Sequence, residues 1–285
     1  MTQELDNFRR EIDHIDDQIA DLLKRRLGVV QRVGEFKRET APGLCPIRPG
    51  REATMIRRIA ELFKGTNFAP AAAAQLWRII IGTATALEAK LIISVYATES
   101  ERDLFWLARE YFGPSATIVK QPHIKRVIAD VMDGKAAVGV VPVISGDDSS
   151  FWWTNLLQPN QQPPKIFAHL PFTYFNEKPQ QFPSGFAFSR IAPEDSGDDV
   201  SLYVLEVEHN LSQSSMQAAL NNEKLKANWV SVATLSPDFR HHLIEIKGFI
   251  PPNHPDLQKA LGNLGGTVQH VHFLGAYAVP FTIKE

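Results

Sequence analysis

The sequence predicts a multidomain chain: an all-α N-terminal third, an α/β region after it, and a closing ferredoxin-like βαββαβ unit. Three observations carry that reading. Apolar residues near the start recur with 4-3 spacing; strand-like and helix-like runs alternate beyond Leu91; and the residues from about Val200 run strand, helix, strand, strand, helix, strand. At about 100–200 residues per domain, 285 residues suit two or three domains. The boundaries read as 1–91, 92–199 and 200–285.

The first element is a helix from Thr2 to about Arg38, with Phe8, Ile12, Ile15, Ile19 and Leu22 on one stripe that continues through Val29, Val33 and Phe36. Some 36 residues make a rod of roughly 54 Å. A 90-residue globule has a radius of gyration of about 12 Å, so two shorter helices cover only part of that stripe. An intertwined homodimer through the N-terminal helices follows. TAPGLCPIRPG (40–50) reads as a loop from its Pro and Gly, Arg51–Phe63 as a second helix, and Pro70–Leu91 as a third whose Pro suits the first helical position.

Past Leu91, LIISVYA reads as a strand, Glu99–Phe112 as a helix, Ala116–Lys120 as a strand, Ile124–Asp133 as a helix and AAVGVVPV as a buried strand. QPNQQPP (158–164) is too rich in proline for either element. The last unit reads SLYVLEVE, Ser214–Asn222, NWVSVATL, HHLIEIKGF, His254–Leu264 and VQHVHFLGAY in turn.

With 44% of the chain hydrophobic and 22% charged, disorder is excluded. The net charge of -2 conceals a split, +3 over residues 1–91 and -5 over 92–285. The bases of the first third are spaced among acids along a helix, which argues against nucleic acid as a partner. One cysteine, Cys45, an acidic polar N-terminus and no long uninterrupted apolar run point to a cytoplasmic protein with no membrane partner. His270 and His272 alternate on a strand and His241 and His242 are adjacent, but without a third ligand at suitable spacing no metal is expected. Trp152 and Trp153 read as packing, and Cys45 as incidental.

Arg26 and Lys37 lie 11 residues apart, which returns them to within about 20° of one azimuth on the helix. Cations repeated on a face that is otherwise buried are costly unless an anion sits between them. Arg9, further along the rod, reaches the same pocket only from a second subunit.

FRREIDHIDDQIADLLKRRLGVVQRVGEFK, PIRPGREA and LWRIIIGTATALE resemble, in that order, the three helices of the all-helical class of chorismate mutases, over about residues 4–91. The resemblance implies chorismate and prephenate as ligands, a homodimer, no cofactor and no metal. It places Arg9 of the partner subunit, Arg26 and Arg51 on the substrate carboxylates, Lys37 on the ether oxygen and Glu52 on the hydroxyl. Converting chorismate to prephenate is a concerted rearrangement, so the enzyme's task is to restrain the enolpyruvyl arm and to stabilise charge growing on the ether oxygen. Arginine forks suit the first task and a buried ammonium the second.

Two departures matter. Ala84 stands where the family commonly has a small hydroxyl residue, and Glu88 where it often has Gln. A carboxylate facing an ether oxygen repels it, whereas a protonated one donates. The expectation is a Glu88 that is protonated when substrate is bound, and activity that rises as pH falls. Pro49-Gly50 replaces a carboxylate often found before Arg51, which leaves the hydroxyl to Glu52 alone. The catalytic set reads as Lys37, Glu88 and Arg26, with Arg9, Arg51, Glu52 and Ala84 completing the binding site.

Residues 92–285 resemble, more distantly, prephenate dehydratase with its periplasmic-binding-like fold, followed by an ACT regulatory domain. GVVPVISG carries Ile144 and Ser145 where that family has Glu and Asn, and its catalytic Thr-Arg-Phe aligns with Ser184, Gly185 and Phe186. Loss of the acid and the arginine implies a dehydratase-like region without dehydratase activity. Ser214-Ser215-Met216 and Ala233 to Ser236 replace the usual phenylalanine-binding segments, leaving an unidentified small molecule as the candidate effector. The alternatives are a bifunctional mutase/dehydratase, a regulatory small-molecule-binding protein with residual mutase activity, and an isochorismate pyruvate lyase of the same helical fold.

Overall fold

A computed structural model describes residues 2–40, 45–98, 103–144, 151–157, 163–174 and 183–282. Ser145, the start of the helix expected from Glu99, and most of the proline-rich stretch at 158–164 lie outside them. Helix α1 spans Thr2–Thr40, α2 Pro49–Leu62 and α3 Pro70–Glu88. The second helix begins two residues earlier than the periodicity indicates, because Pro49 takes its first turn, where a missing N–H costs nothing. The third stops at Glu88, short of the expected Leu91.

Strands β1 (Ile92–Tyr96), β2 (Thr117–Gln121) and β3 (Val138–Pro142) alternate with α4 (Asp103–Phe112) and α5 (Ile124–Met132). Then come β4 (Lys165–Leu170), β5 (Thr173–Tyr174) and β6 (Gly185–Ser189), none of which is anticipated from periodicity. KIFAHL and GFAFS are buried along most of their length and lack the alternation that marks a half-exposed strand. The chain closes with β7 (Asp199–Glu208), α6 (Gln213–Asn222), β8 (Ala227–Ala233), β9 (Phe239–Lys247), α7 (Pro255–Gly262), β10 (Val268–Ala278) and a two-residue β11 (Phe281–Thr282), which pairs with β5.

Among the described residues nine strands form a single sheet in the order β2-β1-β3-β6-β4-β10-β7-β9-β8. The last four of these, β10-β7-β9-β8, are antiparallel neighbours. They join the α/β part where β10 runs parallel to β4, with Gly275 opposite Ile166. Gly275 has φ +141, and a Cβ there would lie 2.0 Å from the Ile166 carbonyl oxygen, so only glycine permits the junction.

Three cores follow from the layers. One joins α2 and α3 (Ala53, Ile56, Ala74, Ile81) to α4 and the sheet (Leu104, Ala108, Ile93, Val140, Phe167), so helical and α/β parts share buried apolar surface. Another packs α5, Trp152 and Trp153 on the opposite face. The third lies under α6 and α7. The tryptophans are 2% and 1% exposed and serve as packing. Among the described residues no helix is long and apolar enough to cross a membrane, and no three His, Cys, Asp or Glu side chains converge to hold a metal.

His169 lies with its ring centroid 5.6 Å from those of Phe186 and Tyr277, and burial lowers its pKa to about 4. His242, buried with neither ring nitrogen bonded, is likewise lowered to about 4, by burial and then by Arg240 and His241. Both fold as neutral rings, so the unfolded chain binds more protons below its ordinary His pKa of about 6.5. Their contribution is whole above that pH and is lost as pH falls toward 4. Chemical denaturation at stepped pH should show a weaker acid decline in His242→Leu than in wild type. Glu52 and Glu245, whose carboxyls burial raises, act in the opposite sense in both proteins and cancel from that difference.

Candidate active site

Lys37, from the last turns of α1, meets Glu88 at the end of α3, with Nζ donating to Oε2 at 2.6 Å; the side chains are 24% and 14% exposed. The pair lines a cavity of about 840 Å³ between the helices and the α/β part. Gly34, Arg38, Cys45 and Arg48 stand on the helical side, and Lys135, Ala137, Ser189, Arg190 and Glu194 on the other. Burial raises the Cys45 thiol pKa, so it lines the cavity as a neutral group.

Arg26 and Arg51 also come together. Burial and then the Arg51 charge lower the Arg26 pKa, and its Nη1 is buried without a hydrogen-bond partner. Arg26 itself lines neither cavity, and its unanswered donor is a buried polar atom that the single chain leaves without a partner. Arg51 lines a neighbouring cavity of about 660 Å³ that shares Arg48 and Glu194 with the first.

Glu52 departs from expectation. Its Oε2 accepts from Arg78 Nη1 at 2.9 Å and its Oε1 from the Arg48 backbone N–H at 3.3 Å, and it lines neither cavity. Burial pushes this carboxyl above the usual range, and Arg78 partly offsets the rise. The Arg78 guanidinium in turn lies 4.2 Å from the Tyr111 ring centroid and 5.8 Å from that of Phe172, both from the α/β part. In the single chain Glu52 is thus held by Arg78 and the Arg48 N–H, with acceptor capacity left on both oxygens.

Ala84 is buried at 5% exposure and lines neither cavity, so it is a core residue in the single chain. Arg9 is exposed, pairs with Asp6 at 3.1 Å, and reaches neither cavity.

Periodicity did not single out Arg48, Arg57, Arg78 or Glu194. Arg78 did leave a signal, a lone cation in the apolar run LWRIIIG. Arg57 binds the carbonyls of Ser196, Asp198 and Val279 at 2.9–3.1 Å and Ser196 Oγ at 3.0 Å, clamping α2 to the chain between β6 and β7 and to the segment after β10. Glu194 lies 146 residues from its partner Arg48, and no local pattern joins them.

With this geometry in view, the comparisons define the class first. Residues 8–89 match the family model of chorismate mutase type II, so the chain carries a chorismate mutase domain at its N-terminus. Over 145 residues, 50% of this chain and 39% of the relative, it is 34% identical to a bifunctional chorismate mutase/prephenate dehydratase of Aquifex aeolicus. A protein of the same description from Neisseria gonorrhoeae is 31% identical over 129 residues, 44% of this chain and 30% of that one. The chain thus matches well under half the length of these curated relatives. A solved prephenate dehydratase from Streptococcus mutans superposes with a TM-score of 0.50 at 15% identity, covering 67% of this chain and 99% of that one, which establishes likeness of fold.

The Arg78–Glu52 pair gives a direct test. With side chains 8% and 12% exposed, removing one partner strands a buried charge. Arg78→Met should cost about 3–5 kcal/mol in denaturant unfolding, and the double variant Arg78→Met/Glu52→Met should recover most of that.

Proposed function

We propose that the chain is a chorismate mutase, converting chorismate to prephenate in aromatic amino-acid biosynthesis, and that it works as a homodimer. The observation that carries this is the unanswered donor of Arg26, whose Nη1 is buried without a partner and which feels the Arg51 charge. A dicarboxylate satisfies it, and the concerted rearrangement asks for such a grip and for little else. Lys37 then meets the ether oxygen. In the free chain its ammonium is held by Glu88, so bound substrate takes the ammonium and leaves Glu88 facing an acceptor unless it gains a proton.

The dimer rests on α1. Leu5, Phe8, Ile12, Ile15, Ile19, Leu22, Val29, Val33 and Phe36 are 41–65% exposed, and each contributes about 1.5–3 kcal/mol when fully buried. A second copy covers that stripe and brings its own Arg9 to the pocket.

Residues 92–199 are read as dehydratase-like and without that activity. Ile144 is buried at 8% exposure, and a Cβ at Gly185 would lie 2.7 Å from Leu104 Cδ2 and 2.9 Å from the Val141 carbonyl, leaving no room for an arginine. The four C-terminal strands with α6 and α7 are read as an ACT-like unit. The bifunctional relatives favour the second reading, an active dehydratase.

Purified protein incubated with chorismate, with prephenate, phenylpyruvate and pyruvate quantified separately, decides among these. The expected product is prephenate, and Arg26→Ala should lower kcat/KM by about a hundredfold or more. Phenylpyruvate would establish the dehydratase, and pyruvate a lyase. Activity should rise as pH falls in wild type, and Glu88→Gln should flatten that profile; an unchanged profile would remove Glu88 from the mechanism.

A further inference from the structure

A third cavity, of about 350 Å³, lies where α2 and α3 meet α4 and the segment after β4. It shares no lining residue with the two that hold Lys37 and Arg51. Ile56 of α2, Leu107 of α4, and Pro171 and Phe172 after β4 give it apolar walls, so neither part of the chain forms it alone.

One buried cation stands in this apolar lining. The Arg78 side chain is 8% exposed, its Nη1 donates to Glu52 Oε2 at 2.9 Å, and its Nη2 is buried without a hydrogen-bond partner. The guanidinium lies 4.2 Å from the ring centroid of Tyr111, which also lines the cavity and which burial keeps a neutral phenol by raising its pKa to about 12. Arg109 adds a second guanidinium, with Nη1 on the Pro114 and Ala116 carbonyls. Glu110 lines the cavity too, but it is exposed, and water screens its charge. An unanswered buried donor costs about 1–3 kcal/mol. The group that answers a guanidinium best is the pair of oxygens of a carboxylate.

We propose that this cavity binds a small aryl carboxylate, its carboxylate on Arg78 and its ring against Leu107, Pro171 and Phe172. Small-molecule sites run from about 300 to 1,000 Å³, mostly apolar with a few convergent polar groups, and this one lies at the lower end of that range. Aromatic walls favour a flat body, which stacks on or meets their edges. The site stands apart from the substrate pocket that the resemblance builds on Arg26, Lys37 and Arg51, and it does not depend on the reaction the chain catalyses. Its guanidinium also holds Glu52, so the occupant sits on the ion pair that joins α2 to α3.

Calorimetric titration of the full chain with phenylacetate and, separately, with its uncharged isostere phenylacetamide tests this. Wild type should bind the acid at least about tenfold more tightly than the amide, because only the acid makes a charge-assisted pair. In Arg78→Met/Glu52→Met that preference should vanish. Leu107→Trp, which fills the cavity and leaves Arg78 in place, should lose both compounds and serves where the double variant misfolds. Arg26→Ala should keep the wild-type affinity for phenylacetate. No binding by folded wild type, equal affinity for acid and amide, or a preference kept in both the double variant and Leu107→Trp would overturn the proposal. So would a loss confined to folded Arg26→Ala, which would place the probe in the substrate pocket.

Discussion

The N-terminus of α2 is pressed against the chain between β6 and β7, and the rest of the site depends on that contact. Arg57 spans it with hydrogen bonds to three carbonyls and one hydroxyl, and Gly50 removes the side chain that would hold the surfaces apart. A guanidinium serves here because its planar fork answers several acceptors from one position. Arg48 pairs with Glu194 next to this contact, and Arg78 lies against Tyr111 some distance away, so α2 and α3 are held at both sides. Helices α2 and α3 thereby share one buried core with α4 and the sheet.

This fixes what each carboxylate does. Buried acids survive only where something answers them, and Arg78 answers Glu52. Lys37 answers Glu88 in the free chain, where both face the cavity and remain free to exchange partners. Glu194, partly exposed, is paired with Arg48 at the edge of the same cavity. A change in the α/β part that shifts Glu194, which lines the cavity with Lys37, would therefore be felt there.

Much of the fold was legible in the sequence because local periodicity encodes it. The 4-3 stripe of α1 and the order of elements after Val200 correspond to the observed helices and strands within a few residues. KIFAHL and GFAFS were not, because a strand buried on both faces has no alternation to read. Continuity of the sheet from β4 to β10 was also hidden. It depends on Gly275 meeting Ile166 across more than a hundred residues. In the site, resemblance picked out Lys37 and Glu88, and the structure brings them together. It also named Glu52, whose partner Arg78 on α3 only the fold reveals, just as only the fold carries position 194 to position 48.

The central claim is that the cleft belongs to two parts of the chain at once. Hydrogen–deuterium exchange of the full protein with and without saturating chorismate tests it directly. The account predicts that protection rises together over residues 48–53 at the start of α2 and residues 191–196 between β6 and β7. Protection confined to the three helices, with 191–196 exchanging as in the free protein, would contradict it.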